Sequence, residues 1–135
     1  AFTRKASSAD LQHDLEEIYS VFPRLEERQS QDASTLSGGE QQMCAIGRGL
    51  MSKPRLLIID ELSLGLAPKA TEQLVEALVR FNSKGLTILL VEQDVFTALE
   101  MSKYAYVVEN GRVSLSGESS EMQDNPMIRN AYLGI

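Results

Sequence analysis

Apolar residues recur along this chain with two spacings, one typical of helices and one typical of covered strands. Spacings of three and four predict amphipathic helices over 10–19, 39–51, 70–82 and 94–102. Two short, mainly apolar runs, 56–60 and 86–91, predict strands buried on both faces, as in parallel sheets. Because helices and strands alternate along the chain, the pattern predicts an α/β fold with a mostly parallel sheet.

Turn signals separate these elements and add a hairpin near the end of the chain. Residues 26–35 are polar and predict an exposed loop. Glu109-Asn110-Gly111 lies between two short segments, 104–108 and 112–115, and the Asn-Gly dipeptide is a strong signal for a tight β-hairpin. A last short helix is expected after Asn125-Pro126.

The sequence predicts a capped helix start at Ser37. Ser37 is a favourable N-cap residue, and Glu40, three residues later, completes a capping-box pattern. Gly38 and Gly39 let a ligand approach the backbone without a Cβ in the way. The free N–H groups of a helix start suit a phosphate. A bare Ser-Gly-Gly favours a plain helix cap, but the whole run Leu36–Gln42, followed by a strand that ends in two carboxylates, favours phosphate binding.

Polar side chains follow both predicted strands. Asp60 and Glu61 close the first strand, and Gln93 follows the second, at the edge where open α/β sheets bind ligands. An aspartate there can hold Mg²⁺ through water, and a second carboxylate can polarise an attacking water. Gln93 can hydrogen-bond a terminal phosphate, although a polar strand-to-helix turn with Asp94 as N-cap explains this segment equally well.

Composition narrows the classes of function. The net charge is -6 at pH 7, which argues against a general nucleic-acid binder with its basic stripe. No apolar run approaches the ~18 residues of a membrane span. Cys44 is the single cysteine, so no intrachain disulfide can form, and the single histidine, His13, has no metal-ligand partner spaced around it. The charged run Glu26–Arg28 is interpreted as a solvated face.

The residues singled out above resemble the ATP-binding subunits of ABC transporters. Leu36–Gln42 is similar to the signature motif of that family, and Leu56–Glu61 is similar to its Walker B strand with the catalytic glutamate. Further runs resemble the branched-chain amino acid importers, namely Phe22–Leu25, Glu40–Met43, Ser63–Pro68, Val91–Gln93 and Ala131–Gly134. The resemblance implies the C-terminal part of a RecA-like P-loop NTPase domain, with a helical subdomain piece over about 10–54 and the Walker B half with its C-terminal hairpin over 55–135.

The resemblance also implies ligands, partners and residue roles. ATP and Mg²⁺ are the expected ligands, and a second ATPase subunit and membrane channel subunits are the expected partners, on the cytoplasmic face of the membrane and without nucleic acid. Glu61 would polarise water, Asp60 would hold Mg²⁺ through water, and Gln93 would sense the γ-phosphate. Residues that would contact the phosphates of ATP held by the second subunit are Ser37, Gly38, Gly39, Glu40 and Gln41.

The family's phosphate loop has no counterpart in this sequence, because no G-x-x-x-x-G-K-[ST] run occurs in it. We therefore expect a C-terminal portion of a longer ATPase that is inactive alone and binds ATP weakly or not at all. The resemblance implies that the phosphate-loop strand of the family lies between 86–91 and 104–108. Without it two strand edges stay unpaired, and we expect the chain to dimerise through an edge, to swap elements, or to close the gap by rearranging. Leu62 replaces a proline that is usual in the family, with a modest expected effect on the geometry of Glu61.

Two other functions stay open at this point. A freestanding, non-catalytic remnant that only associates with partners would also lack the phosphate loop. A soluble ABC protein that acts on nucleic acid or ribosomes would carry the same signature motif, although the acidic balance and the branched-chain-type runs count against it.

Overall fold

The computed structural model describes residues 7–63 and 65–130, and these form helices and short strands in alternation. The helices are α1 (Ser8–Val21), α2 (Pro23–Glu27), α3 (Gly38–Leu50), α4 (Pro68–Ser83), α5 (Val95–Met101), α6 (Ser119–Gln123) and α7 (Pro126–Ile128). The strands are β1 (Leu56–Asp60), β2 (Thr87–Val91), β3 (Tyr104–Glu109) and β4 (Arg112–Glu118). The predicted α/β class is confirmed. The run Ala131–Gly134 lies outside the described residues.

The chain divides into two compact units, Ala1–Leu89 and Leu90–Ile135. In the first unit, α3 packs closely against its neighbours through two glycines. A Cβ on Gly47 would lie 3.0 Å from Cγ2 of Ile18, and a Cβ on Gly49 would lie 3.3 Å from Cδ1 of Leu57. Each glycine costs a helix interior about 1 kcal/mol relative to alanine. Close packing of the α3 backbone therefore accounts for both glycines.

The strands β1 and β2 pair with each other in a two-stranded sheet, and the N–H of Thr87 donates to the carbonyl of Arg55 at 3.1 Å. The expectation that both strands are covered on both faces is wrong, and in β2 Leu89 is 48% and Val91 49% exposed. Ile59 is buried, whereas Leu56 is 49% and Ile58 61% exposed. An apolar run is buried on both faces only when elements cover both faces of its sheet, and the described part of this chain covers one.

The second unit is built on the predicted hairpin. β3 and β4 pair antiparallel, and Asn110 and Gly111 have φ of 49° and 75°, the left-handed values that a two-residue hairpin turn requires. One face of the hairpin packs on a small core formed by Leu99, Met122 and Ile128. This core holds α5, α6 and α7 against the strands.

The segment expected to be an exposed loop, 26–35, contains more structure than its polarity indicates. α2 starts at Pro23, a favourable first helical residue, and extends to Glu27. A single 3₁₀ turn covers Ala33–Thr35, and the carboxylate of Asp32 caps it by accepting from the N–H of Ser34 at 2.9 Å. Local capping thus orders the chain immediately before Leu36–Gln42, the run that resembles the signature motif and is called the signature run below.

Candidate functional site

The start of α3 is the predicted capping box. The carboxylate of Glu40 accepts from the backbone N–H of Ser37 at 2.9 Å and from its hydroxyl at 2.8 Å. In return the N–H of Glu40 donates to Oγ of Ser37 at 3.4 Å. Ser37 is extended, with φ of -62° and ψ of 159°, so the chain enters the helix abruptly. Because the two residues satisfy each other, the helix start is held in one geometry.

Arg28 completes this arrangement, and reasoning from the sequence missed it. Its Nε lies 2.8 Å from Oε1 of Glu40. The N–H of Ser37, its hydroxyl and then Arg28 hold the pKa of the Glu40 carboxyl below its ordinary value of 4.5. Glu40 is therefore ionised at neutral pH, and Arg28 balances its charge. The pairing is missed because Arg28 lies in the run interpreted as a solvated face.

The two glycines of the signature run differ in their surroundings. A Cβ on Gly39 would lie 3.0 Å from Cβ of Ala70 in α4, which is tighter than nine in ten real Cβ contacts. A Cβ on Gly38 would meet nothing within 4 Å. Packing therefore explains Gly39, whereas Gly38 lies at an open surface where the helix start presents free N–H groups.

Gln41 fastens the preceding turn to the helix. Its Nε2 donates to the carbonyls of Leu36 at 3.2 Å and Ala33 at 3.3 Å. These bonds hold the segment before Ser37 against the first turn of α3. The amide of Gln41 therefore positions the loop, and its contact with a phosphate stays a prediction.

The two predicted carboxylates are adjacent at the end of β1. Asp60 is the last residue of the strand and is exposed, and Glu61 follows with φ of 52°. Left-handed backbone costs a residue with a side chain about 1–2 kcal/mol. Leu62 comes next and is 1% exposed, so its burial anchors the turn. The position where the family usually has proline is thus filled here by a core residue.

A magnesium ion at Asp60 would depend on ligands other than protein side chains. Among the described residues, no group of three or more His, Cys, Asp and Glu side chains is arranged to hold a metal. Mg²⁺ commonly keeps several waters and is bound through one or two carboxylates plus substrate phosphates. A single exposed aspartate at the end of a strand is compatible with this mode of Mg²⁺ binding.

Gln93 lies in the second unit, immediately after β2, and is exposed. The next residue, Asp94, is the N-cap of α5, and its carboxylate accepts from the N–H of Phe96 at 2.9 Å. The alternative interpretation of this segment as a capped turn is confirmed for Asp94. The role of Gln93 stays a prediction.

Residues 3–63 match the family model described as ABC transporter. The matched range contains the capping box and both carboxylates. Among the residues that the structure describes, no helix is both long and apolar enough to cross a bilayer.

Individual relatives match most of the chain. The high-affinity branched-chain amino acid transport ATP-binding protein BraG of Pseudomonas aeruginosa is 49% identical over 125 residues, which are 93% of this chain and 54% of that protein. A solved ATP-binding subunit of an ABC transporter has a TM-score of 0.78 and 32% identity, over 96% of this chain and 54% of that chain.

A third similar protein is the dimeric ATP-binding cassette MJ0796, solved in a post-hydrolysis state bound to ADP and Pi. Its TM-score is 0.71 and its identity 25%, over 87% of this chain and 51% of that chain. The chain spans about half the length of the proteins it matches.

Proposed function

Because the chain belongs to the ATP-binding subunits of ABC transporters, we propose that it contributes to ATP hydrolysis that energises uptake of branched-chain amino acids. The substrate class is taken from BraG, the 49% identical relative. The observation that carries the proposal is the start of α3, where a rigid capping box leaves Gly38 open to a ligand.

The helix start would bind phosphates of an ATP molecule held by a second subunit. The N–H groups of the first turn and the partial positive charge of the helix N-terminus attract an anion. Ser37 and Glu40 hold the turn in place, and Arg28 offsets the charge of Glu40, which would otherwise repel a phosphate. A dimeric relative, MJ0796, supports an arrangement of two such subunits.

The strand end would supply the hydrolytic groups. Glu61 would orient and polarise the attacking water, and Asp60 would hold Mg²⁺ through water. Bound Mg²⁺ would neutralise negative charge that develops on the phosphates in the transition state. Gln93 would hydrogen-bond the γ-phosphate; its amide cannot act as an acid or base near neutral pH. Membrane channel subunits at the cytoplasmic face would be the partners that receive the energy.

A chimera tests this function. The N-terminal half of BraG would precede this chain and supply a G-x-x-x-x-G-K-[ST] loop. We expect Mg²⁺-dependent ATP hydrolysis by the chimera, and Glu61→Gln is expected to lower kcat by about 10²–10⁴. The matched control is Glu72→Gln, an exposed glutamate of α4 that should leave kcat unchanged. A folded chimera whose kcat is the same with Glu61→Gln would overturn the assignment.

A further inference from the structure

We propose that the first unit has a second binding site, for a small apolar carboxylate, in a cavity between α1, α2, the 3₁₀ turn and α3. The cavity has a volume of about 330 Å³. Its apolar lining is formed by Leu15, Ile18, Leu25, Leu36 and Met51. Small-molecule sites have volumes of roughly 300–1,000 Å³ and are mostly apolar, with a few polar groups that orient the ligand.

Charge identifies the class of ligand. Of the described residues that line the cavity, two are arginines, Arg28 and Arg48, and none is acidic. This is the reverse of the whole chain, which carries a net charge of -6. An apolar cavity with cationic walls complements a ligand that has an apolar body and one anionic group.

The two arginines differ in their availability. Arg28 is already paired with Glu40 at 2.8 Å and donates to Oε1 of Gln31 at 2.8 Å. Arg48 lies on the exposed side of α3, and within 7–63 and 65–130 no ion pair involves it. Arg48 is therefore the residue that would bind the ligand's anion.

The shape of the guanidinium and the size of the cavity restrict the ligand further. A guanidinium offers two parallel N–H donors that match the two oxygens of a carboxylate. The cavity volume is at the small end for ligand sites, so a short aliphatic chain or a single ring fits and a long acyl chain does not. A short-chain monocarboxylate satisfies both conditions.

Hexanoate is a suitable probe, with 1-hexanol and hexylamine as matched compounds that change only the head group. Each would be titrated into the ¹⁵N-labelled chain and followed by amide chemical shifts. We expect saturable shifts with hexanoate at cavity residues such as Gly47 and Arg48, weaker ones with hexanol and none with hexylamine. Cys44, the single cysteine, also lines the cavity, so hexanoate should slow its alkylation by iodoacetamide.

Two variants make the test specific. Arg48→Gln should raise the Kd for hexanoate about tenfold or more, because a charge-assisted bond is lost. Arg80→Gln, an exposed arginine on α4 that does not line the cavity, should leave the Kd unchanged. Absence of saturable shifts with hexanoate, or equal affinity for all three compounds, would overturn the proposal. An unchanged Kd in Arg48→Gln would do the same.

Discussion

The Nζ of Lys53 lies 2.6 Å from Oδ1 of Asp14, and this pair ties the turn after α3 to the middle of α1. The Asp14 side chain is 3% exposed, whereas the Lys53 side chain is 49% exposed. A buried carboxylate is costly to leave without its cation, even when the cation itself is partly hydrated. The pair therefore fixes α1 against α3.

Lys53→Met should destabilise the chain by about 2 kcal/mol, because it removes the ammonium group that lies 2.6 Å from the buried Asp14 carboxylate. The free energy of unfolding from urea titration measures the effect. Lys69→Met, at an exposed position of α4, is the matched control and should change that free energy by less than about 0.5 kcal/mol. Equal stability of the two variants would show that the pair contributes nothing.

The two signature glycines should respond differently to alanine. Gly39→Ala places a Cβ 3.0 Å from Ala70 and should cost about 1–3 kcal/mol of stability by overpacking. Gly38→Ala meets nothing within 4 Å and should leave stability nearly unchanged. Thermal unfolding of the two variants checks this difference.

Alanine variants at Gly38 and Gly39 also distinguish a role in packing from a role in ligand binding. In the chimera with the N-terminal half of BraG, Gly38→Ala should lower ATP hydrolysis although the variant is stable, because its methyl group occupies the surface that a phosphate would approach. Normal hydrolysis by a stable Gly38→Ala chimera would argue against phosphate binding at this helix start.

Features encoded by neighbouring residues were predictable from the sequence. The capping box of Ser37 and Glu40 and the Asn110-Gly111 hairpin depend on residues a few positions apart, so local chemistry determines them. Helical spacing places Met43, Ile46 and Leu50 on one face of α3, and all three are buried.

Features that depend on distant residues were not predictable in the same way. The contact of Arg28 with Glu40 and the cavity beside Arg48 arise from the packing of separate helices. The exposure of Ile58 depends on what covers the sheet, and an apolar run carries no information about that. The left-handed conformation of Glu61 is unexpected because glycine is the residue that usually adopts it.

Acid should weaken the start of α3 through Glu40. The folded-state pKa of Glu40 is depressed, so its contribution to stability is complete above the ordinary value of 4.5 and is lost as the pH falls through the folded-state pKa. Ser37→Ala removes the hydroxyl donor and should raise the Glu40 pKa toward its ordinary value, while the Ser37 backbone donor remains.

A carboxyl-detected NMR titration of Glu40 measures this pKa in both proteins. Ser20→Ala, whose hydroxyl donates to the carbonyl of Glu17 on α1, is the control and should leave it unchanged. Identical Glu40 titration curves for the original chain and Ser37→Ala would contradict the capping geometry.

The exposed face of β1 should make the isolated chain self-associate. Leu56 and Ile58 are large apolar residues at 49% and 61% exposure in a sheet of two strands, and such faces and edges pair with other chains. Sedimentation velocity should show a dimer fraction that increases with protein concentration. Ile58→Thr should weaken the association, and Val79→Thr, at a similarly exposed site on α4, should not. A monomer at every concentration would refute this expectation.

The backbone of Glu61 should store strain that glycine would release. Glu61→Ala and Glu61→Gly both remove the carboxylate and its contacts, so comparing them isolates the cost of a Cβ at φ of 52°. The glycine variant should be the more stable by about 1 kcal/mol, since relief of left-handed strain exceeds the extra entropy of glycine in the unfolded chain. At Glu72, which lies inside α4, the alanine variant should instead be more stable than the glycine variant, because glycine is a poor helix former. If alanine is the more stable residue at both positions, the turn after Asp60 holds no strain, and the conformation of Glu61 needs no support from the burial of Leu62.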